Sequence, residues 1–286
     1  MNIRNALSSA VAELKSAGIE SSPLDASLLL ADVLNTTRTT LYARGTDTLS
    51  DGALSAFCAL IQRRLNGECT AYLLGKKEFR NLEFLVNKSV LVPRPETETL
   101  VETAVEIISK EETAGSVRIL DLCTGSGAIA VSIKNEMPKT EVWASDICDQ
   151  ALETAKTNAN CLLPANSIQF LKSDLYSELH AMQFSVIVSN PPYIPTGEIG
   201  TLPAEVQNEP RLALDGGHTG LEIIKRIIED APKYLQENGT LLMEADPRQM
   251  KDIAILLERK GFAGVKSYKD LSGRERVIGG AYQERI

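Results

Sequence analysis

The strongest constraint on the fold is an alternation of apolar, strand-like runs with helix-length segments, which begins near residue 117. Such alternation is typical of α/β proteins with a mainly parallel sheet. The sequence predicts strands over residues 117–122, 141–145, 167–171, 184–189, 240–244, 265–268 and 276–278. It predicts helices over residues 128–135, 149–160, 221–236 and 247–260. We expect the tail from Gly261 onward to close the sheet with an antiparallel hairpin.

The first 75 residues have a different pattern, which predicts a small all-helical domain. Apolar residues recur at helical spacing from Ile3 to Leu14, and Gly18 ends the run. A second helix is predicted with Ser22 as its N-cap, because a proline follows at the first helical position. A third helix is predicted over residues 50–66.

Between these two patterns lies a segment that predicts a β-hairpin linker over residues 76–92. Its apolar residues alternate, and either Arg80-Asn81 or Asn87-Lys88 can form the turn. The predicted domains are therefore a helical substrate-recognition domain over residues 1–75, the linker, and an α/β domain over residues 93–286.

Composition excludes several classes of function. The net charge is −8, which argues against broad electrostatic docking on nucleic acid. Five cysteines with no C-x-x-C pair and only two histidines disfavour a disulfide framework and a metal site. The N-terminus lacks the apolar core of a signal peptide, and no apolar stretch is long enough to span a membrane. We expect a cytoplasmic monomer with reduced thiols.

The segment VRILDLCTGSGAIA, which begins at Val117, indicates a ligand-binding turn between a strand and a helix. Its glycines allow a ligand to approach the backbone, and crevices at such turns bind ligands in open α/β sheets. The segment lacks the Lys-Ser/Thr of a P-loop and holds only part of the dinucleotide fingerprint. A tight structural turn would have a similar sequence.

Two later strands end in carboxylates that suit an adenosine. Asp146 follows the glycine turn by about 20 residues, where a carboxylate can accept both ribose hydroxyls. Alternatively, Asp146 or Asp149 caps the next helix. Asp174 can accept the adenine amino group and Leu175 can pack on the ring, although a solvated loop aspartate fits the sequence equally well.

The predicted strand FSVIVS leads into Asn190-Pro191-Pro192-Tyr193, which has the chemistry of a clamp for a planar NH2 group. The Asn190 side-chain oxygen and the Pro191 carbonyl can accept both hydrogens, which turns the nitrogen lone pair toward a methyl donor. Prolines fix the backbone here, and Tyr193 offers an aromatic face. A proline-rich loop is ordinarily a rigid turn, but its place at the end of a buried strand favours a catalytic role.

With these motifs in place, the chain resembles the release factor glutamine methyltransferases over nearly its whole length. The specific pieces are EFRNLEFLV, VLVPRPETE, ILDLCTGSGAIA, VSNPPYI, EPRLALDGG and GLEII. The resemblance implies a seven-stranded class I (Rossmann-like) methyltransferase domain behind a small helical domain and a hairpin. It implies methyl transfer from S-adenosyl-L-methionine to N5 of the glutamine in the Gly-Gly-Gln motif of peptide-chain release factors, with S-adenosyl-L-homocysteine as product.

The resemblance also assigns roles to residues. Asn190, Pro191, Pro192 and Tyr193 are the predicted catalytic residues, and Arg94 and Glu96 are expected to order the substrate entrance. The predicted cofactor-binding residues are Asp121, Cys123, Thr124, Gly125, Ser126, Gly127, Asp146, Asp174, Leu175 and Asn190.

The chain departs from the family pattern at three positions. Cys123 stands where glycine is usual, Asp246 stands where glycine is favoured in a Glu-x-Gly-x-x-Gln segment, and His218 stands where aspartate is common. A side chain at Cys123 adds bulk near the methionine end of the cofactor. Asp246 adds a carboxylate that changes the local geometry.

Four rival functions fit part of the sequence. A DNA adenine N6-methyltransferase also clamps a planar NH2 group, but it flips its base and needs a basic recognition surface. A ribosomal-protein glutamine methyltransferase belongs to the same chemical class. The third rival is a non-catalytic module that binds translation factors, and the glycine turn, Asp146 and the clamp disfavour it. A dehydrogenase is weaker still, because the dinucleotide fingerprint is incomplete.

Overall fold

The computed structural model describes residues 1–111, 117–180 and 182–283. Its helices are α1 (Ile3–Ser16), α2 (Ser22–Val33), α3 (Arg38–Ala43), α4 (Asp51–Leu65), α5 (Thr70–Leu74), α6 (Glu98–Glu111), α7 (Ala128–Glu136), α8 (Asp149–Leu162), α9 (Ala204–Gln207), α10 (Arg211–Leu214), α11 (Glu222–Asp230) and α12 (Met250–Arg259). Its strands are β1 (Lys76–Phe79), β2 (Leu82–Leu85), β3 (Arg118–Leu122), β4 (Glu141–Asp146), β5 (Ile168–Lys172), β6 (Phe184–Ser189), β7 (Leu235–Glu244), β8 (Phe262–Lys269) and β9 (Glu275–Tyr282).

The contacts within the chain divide it into two units. One consists of Met1–Lys76 with Pro203–Asn208, and the other consists of Lys77–Leu202 with Glu209–Ile286. The sequence did not predict that residues 203–208 group with the N-terminal helices. The domain boundaries inferred from the sequence stay a prediction.

A buried ion pair holds the helical unit together. Arg64 Nε on α4 donates to Asp25 Oδ2 on α2 at 2.8 Å, and both side chains are only 6% exposed. The same guanidinium reaches Glu205 at 2.5 Å, which ties the segment Pro203–Asn208 to this unit. Burial makes this pair sensitive to the loss of either partner, because the remaining charge has no solvent around it.

The α/β prediction is confirmed by a seven-stranded sheet in the second unit, with strand order β5-β4-β3-β6-β7-β9-β8. Neighbouring strands from β5 to β7 are parallel, while β9 is antiparallel to both β7 and β8, as expected for the C-terminal hairpin. The strand order reverses between β3 and β6. Ligands of open α/β sheets bind at the carboxyl ends of the strands beside such a reversal.

Helices cover both faces of this sheet because its central strands are apolar on both sides. Ile119 of β3 packs in a cluster with Leu100 of α6 and Ile129 of α7. The next residue, Leu120, packs in a second cluster with Ile224 of α11 and Ile253 of α12. Successive side chains of a strand point to opposite faces, so one strand anchors both helical layers.

Most of the helix and strand boundaries predicted from the sequence agree with the structure, and the differences have physical reasons. The predicted helix over residues 221–236 is wrong in its second half, because α11 ends at Asp230 and a 3-10 turn (Ala231–Lys233) leads directly into β7. Pro232 lies in this turn and has no N–H to continue a helix. The N-cap of α2 is Ser21, not Ser22, and its hydroxyl donates to Asp25.

The hairpin β1–β2 forms with Arg80-Asn81 as its turn, one of the two predicted alternatives. Both residues have positive φ angles, 50° and 59°, as two-residue hairpin turns of the I′ type require. Within the described ranges, no helix has the length and apolar composition needed to cross a membrane.

We expect Asp25→Ala to lower the free energy of unfolding by about 3 kcal/mol, since it leaves a buried guanidinium with only a partly exposed partner. Urea denaturation of the full chain measures the change. Arg44→Ala is the matched control, because Arg44 pairs with Asp47 on the surface of the same unit. That variant should lose less than about 1 kcal/mol, and equal losses would contradict the role given to the buried pair.

Candidate active site

A cavity of about 450 Å³ lies at the carboxyl ends of β3, β4, β5 and β6. This volume falls within the range of about 300–1,000 Å³ that is typical of small-molecule sites. Its lining includes Leu91, Pro93, Arg94, Thr97, Cys123, Thr124, Gly125, Ser126, Asp146, Ile147, Asp174, Leu175, Asn190, Pro192, Leu212, Ile223 and Arg226. The ends of four neighbouring strands thus converge on one site, as the sequence predicted for its glycine turn and clamp.

The turn after β3 leaves room for a ligand at its glycines. Gly125 has a φ of 55°, and a Cβ added there would meet no atom within 4 Å. Such a Cβ would extend into open space at the cavity wall, so its absence leaves that space to a bound molecule. Gly127 is favoured by its φ of 80° and by close packing, because a Cβ there would lie 3.1 Å from Cβ of Ala155 on α8.

Asp121 orders the glycine turn through hydrogen bonds. Its Oδ2 accepts hydrogen bonds from the Thr124 hydroxyl at 2.6 Å and from the Ala130 N–H at 3.2 Å. Burial raises the pKa of Asp121 to about 7, against the lowering effect of those two donors. Asp121 is not among the residues that line the cavity. Its contacts therefore fit a residue that shapes the turn, while its predicted contact with the cofactor stays a prediction.

Asp146 lines the cavity at the end of β4. Its Oδ2 accepts from the Gly125 N–H and its Oδ1 from the Cys148 N–H, both at 2.9 Å. Burial raises its pKa, and the backbone N–H groups of Cys148, Gly125 and Ile147 oppose that rise. The N-cap of α8 is Cys148 and has no side-chain capping bond, so neither Asp146 nor Asp149 caps that helix.

The two residues proposed for the adenine ring also reach the cavity. Leu175 is buried with a φ of 52°, in the left-handed region, and it lines the cavity. Asp174 is half exposed and pairs with Arg226 of α11 at 2.8 Å. This partner was not predicted, and Arg226 also lines the cavity.

The clamp begins with Asn190, whose side-chain nitrogen donates to the Thr97 hydroxyl at 3.2 Å. That bond occupies the donor end of the amide and leaves Oδ1 as its acceptor end. Asn190 and Pro192 line the cavity, whereas Pro191 is buried and Tyr193 packs partly into the second core cluster. The structure therefore brings Asn190 to the same cavity as the glycine turn.

Tyr193 is held by hydrogen bonds to both its side chain and its backbone. Its hydroxyl donates to Glu244 Oε1 at 3.3 Å, and its carbonyl accepts from Gln249 Nε2 at 2.9 Å. Burial, with the nearby Glu244 carboxylate, raises the pKa of Tyr193 above its ordinary value. The phenol therefore stays protonated at neutral pH and serves as a donor to Glu244.

The segment EPRLALDGG supports the clamp loop from outside. The Ile194 N–H donates to the Leu214 carbonyl at 3.0 Å, and the Gly216 N–H returns a bond to Ile194 at 2.9 Å. A Cβ on Gly216 would lie 2.8 Å from the Pro192 carbonyl oxygen. Only glycine lets the two backbones approach this closely.

Of the two residues predicted at the substrate entrance, Arg94 lines the cavity and Glu96 does not. Arg94 lines the cavity and pairs with Glu209, a carboxylate that is almost fully buried and also accepts from the Val92 N–H at 3.1 Å. Glu96 lies in the 3-10 turn Pro95–Thr97 and is not part of the cavity lining. Its predicted role at the entrance stays a prediction.

The three departures from the family pattern lie in different local settings. Cys123 has a φ of 59°, a conformation that favours glycine, so a cysteine here is strained. Asp246 accepts from the Arg248 N–H at 2.8 Å and forms a capping box with Gln249, which orders the 3-10 turn after β7. His218 is exposed and away from the cavity lining.

The sequence did not single out Thr97, Glu209 and Glu244, which contact Asn190, Arg94 and Tyr193 respectively. Thr97 lies within VLVPRPETE and Glu209 begins EPRLALDGG, and neither was assigned a role. Glu244 ends a buried strand beside the strand that carries the clamp. The available signal for Glu244 was that it is a carboxylate at the end of a predicted strand, which is the same signal that identified Asp146.

Two family models match the chain. One is described as the PrmC N-terminal domain and matches residues 5–75, and the other is described as the methyltransferase small domain and matches residues 98–202. Together they fall on the helical segment and on the glycine turn, carboxylates and clamp.

Solved structures share the fold of the chain. The catalytic domain of hMettl16 in complex with MAT2A 3'UTR hairpin 1 has a TM-score of 0.59 at 16% identity, covering 91% of each chain. The T. thermophilus 16S rRNA N2 G1207 methyltransferase in complex with AdoMet and guanosine has a TM-score of 0.52 at 20% identity, covering 73% of this chain and 50% of that one. These likenesses show a methyltransferase fold.

Curated relatives are much closer in sequence. The release factor glutamine methyltransferase of Burkholderia pseudomallei (strain K96243) is 42% identical over 90% of this chain and 91% of its own length. That of Moorella thermoacetica (strain ATCC 39073 / JCM 9320) is 38% identical over 97% of this chain and 98% of its own length. Identity at this level extends over both the helical segment and the methyltransferase domain, and the chain therefore belongs to the release factor glutamine methyltransferase family.

Proposed function

We propose that this chain transfers a methyl group from S-adenosyl-L-methionine to the side-chain amide nitrogen of the glutamine in the Gly-Gly-Gln motif of peptide-chain release factors. The observation that carries the proposal is the orientation of Asn190. Its amide nitrogen is engaged by Thr97, which leaves its oxygen as an acceptor, and Asn190 lines the cavity. The names of the relatives support release factors as the substrate.

The residues around the glycine turn fit the cofactor. The open space at Gly125 admits a ligand against the backbone, and Asp146 places carboxylate oxygens at the cavity wall for ribose hydroxyls. Asp174 and Leu175 complete this side of the cavity. When bound, S-adenosyl-L-methionine supplies an electrophilic methyl group on a positively charged sulfur.

The clamp residues would act on the substrate amide by positioning. Asn190 Oδ1 and the Pro191 carbonyl accept the two N–H groups of the glutamine side chain. Holding both hydrogens fixes the plane of the amide and presents its nitrogen to the methyl donor. Because an amide nitrogen is a poor nucleophile, two acceptors that draw on its hydrogens also stabilise the positive charge that develops during transfer.

The proposal is tested by incubating the purified chain with labelled S-adenosyl-L-methionine and a bacterial release factor. We expect label on the release factor, and mass spectrometry should place it on the glutamine of the Gly-Gly-Gln motif. A release factor with alanine in place of that glutamine should accept no label. Label on DNA or on a ribosomal protein instead would assign one of the rival functions.

Replacing the clamp asparagine should separate turnover from cofactor binding. Asn190→Ala removes one of two acceptors for the substrate amide, and we expect kcat to fall about 100-fold, the loss typical of a misplaced reacting group. The dissociation constant for S-adenosyl-L-homocysteine, measured by calorimetry, should change less than kcat does. Asn160→Ala on the exposed face of α8 is the matched control and should leave both values unchanged. Equal loss of both in Asn190→Ala would assign this side chain to the cofactor.

Replacing the carboxylate at the end of β4 should have the opposite effect. Asp146→Ala removes bonds to a charged acceptor, each with a contribution of about 1.5–3 kcal/mol. We expect the dissociation constant for S-adenosyl-L-homocysteine to rise by about 10- to 100-fold. Asp149→Ala, which breaks only an exposed pair with Lys172, is the control and should bind normally. Unchanged binding in Asp146→Ala would remove the ribose assignment.

A further inference from the structure

Leu212 of α10 is a large apolar side chain that is exposed at the cavity. It is 57% exposed and is among the residues that line the cavity. Among the described residues, Ile147 is the other large apolar side chain that is both exposed and part of this lining. Ile147 directly follows Asp146, so it belongs with the groups proposed for the cofactor. Leu212 comes from another loop, and its contact with a bound molecule would be favourable because it removes apolar surface from water.

The segment that carries Leu212 is attached on both sides to groups proposed for the substrate. Before α10, the buried Glu209 carboxylate accepts a hydrogen bond from the Arg94 guanidinium. At the end of α10, the Leu214 carbonyl accepts from the Ile194 N–H of the clamp loop at 3.0 Å. Leu212 lies three residues after the first attachment and two before the second, which places it between the entrance arginine and the clamp.

The residues that follow α10 are also bonded to the clamp loop. The Asp215 carboxylate accepts from the Thr196 hydroxyl at 2.6 Å, and the Gly216 N–H donates to the Ile194 carbonyl at 2.9 Å. Leu212 therefore lies on an ordered segment. Little conformational entropy is lost when a side chain on such a segment makes a contact, so more of the free energy of that contact contributes to binding.

The two segments that flank the clamp present a mainly apolar surface to the cavity. From residues 91–94 and 210–213, the apolar side chains in the lining are Leu91, Pro93, Pro210, Leu212 and Ala213. Arg94 adds a cation, but Glu209 neutralises it. Such a surface fits the methylene groups of a glutamine side chain and the uncharged backbone of a glycine-rich segment. It suits nucleic acid less well, because phosphates bind to cations that are free to neutralise them.

We propose that Leu212 is a substrate-contact residue that packs on the methylene groups of the target glutamine and on the glycine backbone before it. The inference rests on the proposed function, because it takes a glutamine of a protein segment as the occupant of the clamp. A leucine side chain neither donates nor accepts hydrogen bonds and carries no charge. Its contribution is therefore to the affinity for the protein substrate, while the clamp orients the amide for the chemical step.

The experiment measures the binding of a release factor by calorimetry, with S-adenosyl-L-homocysteine at saturation. We expect its dissociation constant to rise about 10-fold in Leu212→Ala, because most of the apolar contact is lost. Leu212→Met keeps an apolar side chain of similar volume and should stay within about threefold of the unaltered chain. Ile255→Ala is the matched control, since Ile255 is an exposed apolar residue of α12 outside the cavity lining, and it should bind the release factor normally.

Two further measurements separate a substrate contact from other roles. With S-adenosyl-L-methionine at saturation, Leu212→Ala should raise KM for the release factor about 10-fold and keep kcat within about threefold, the pattern of lost binding. This is the reverse of the pattern expected for Asn190→Ala. The dissociation constant for S-adenosyl-L-homocysteine, measured without release factor, should change less than about twofold. Leu212→Ala should also melt at the temperature of the unaltered chain, because the side chain it shortens is exposed.

The outcomes distinguish the two proposals. If the unaltered chain labels no release factor, the proposed function fails and the role of Leu212 fails with it. If the unaltered chain labels the glutamine and Leu212→Ala binds the release factor with unchanged affinity, the proposed function stands and the role of Leu212 is wrong. Weaker binding of S-adenosyl-L-homocysteine alone would assign Leu212 to the cofactor and overturn the inference. An equal loss of release-factor affinity in Ile255→Ala would also overturn it.

Discussion

The parallel pairing of β3 with β6 is the constraint on which the site depends. It brings together Leu122 and Ser189, which are 67 residues apart in the chain, and the Ser189 hydroxyl strengthens it by donating to the Leu122 carbonyl at 2.9 Å. The glycine turn begins directly after Leu122, and the clamp begins directly after Ser189. The pairing of β3 with β6 therefore fixes the distance between the groups proposed for the cofactor and those proposed for the substrate.

The glycine turn and the clamp each contact a buried carboxylate. Asp121 is a buried carboxylate that accepts bonds from Thr124 and Ala130 and so shapes the glycine turn. Glu244 is a buried carboxylate that accepts a bond from Tyr193 and lies at the base of the clamp. Both have raised pKa values because burial disfavours their charged forms. Ionisable groups with perturbed pKa values are concentrated at functional sites.

The sequence was informative where function requires a particular residue type over a short span. Gly125, Asp146 and Asn190 were all found in this way, because a bare backbone, a carboxylate after a strand and an amide before two prolines are local signals. The α/β fold followed from the strand and helix alternation for the same reason. Pro232 is also a local signal, because it disfavours a helix. The helix predicted over residues 221–236 nevertheless ran through it and was wrong, because the apolar periodicity continues beyond Pro232.

The sequence was uninformative where partners are distant in the chain. Asn190 and Thr97 are 93 residues apart, and Arg94 and Glu209 are 115 residues apart. No local pattern links such pairs, because the sheet order and the loops that follow it decide which side chains meet. Thr97 and Glu209 were present in the quoted motifs, but only the fold shows that each supports a residue of the cavity.

The buried carboxylates also link the site to the pH dependence of stability. A carboxyl group whose pKa is higher in the folded protein binds its proton more tightly there than in the unfolded chain. For Asp121, whose pKa rises from 3.8 to about 7, the folded state loses stability as pH rises between those values. Glu244 acts in the same direction between 4.5 and about 6. The apolar layers on both faces of the sheet must offset this cost at neutral pH, where the chain keeps both carboxylates for the arrangement of its turn and clamp.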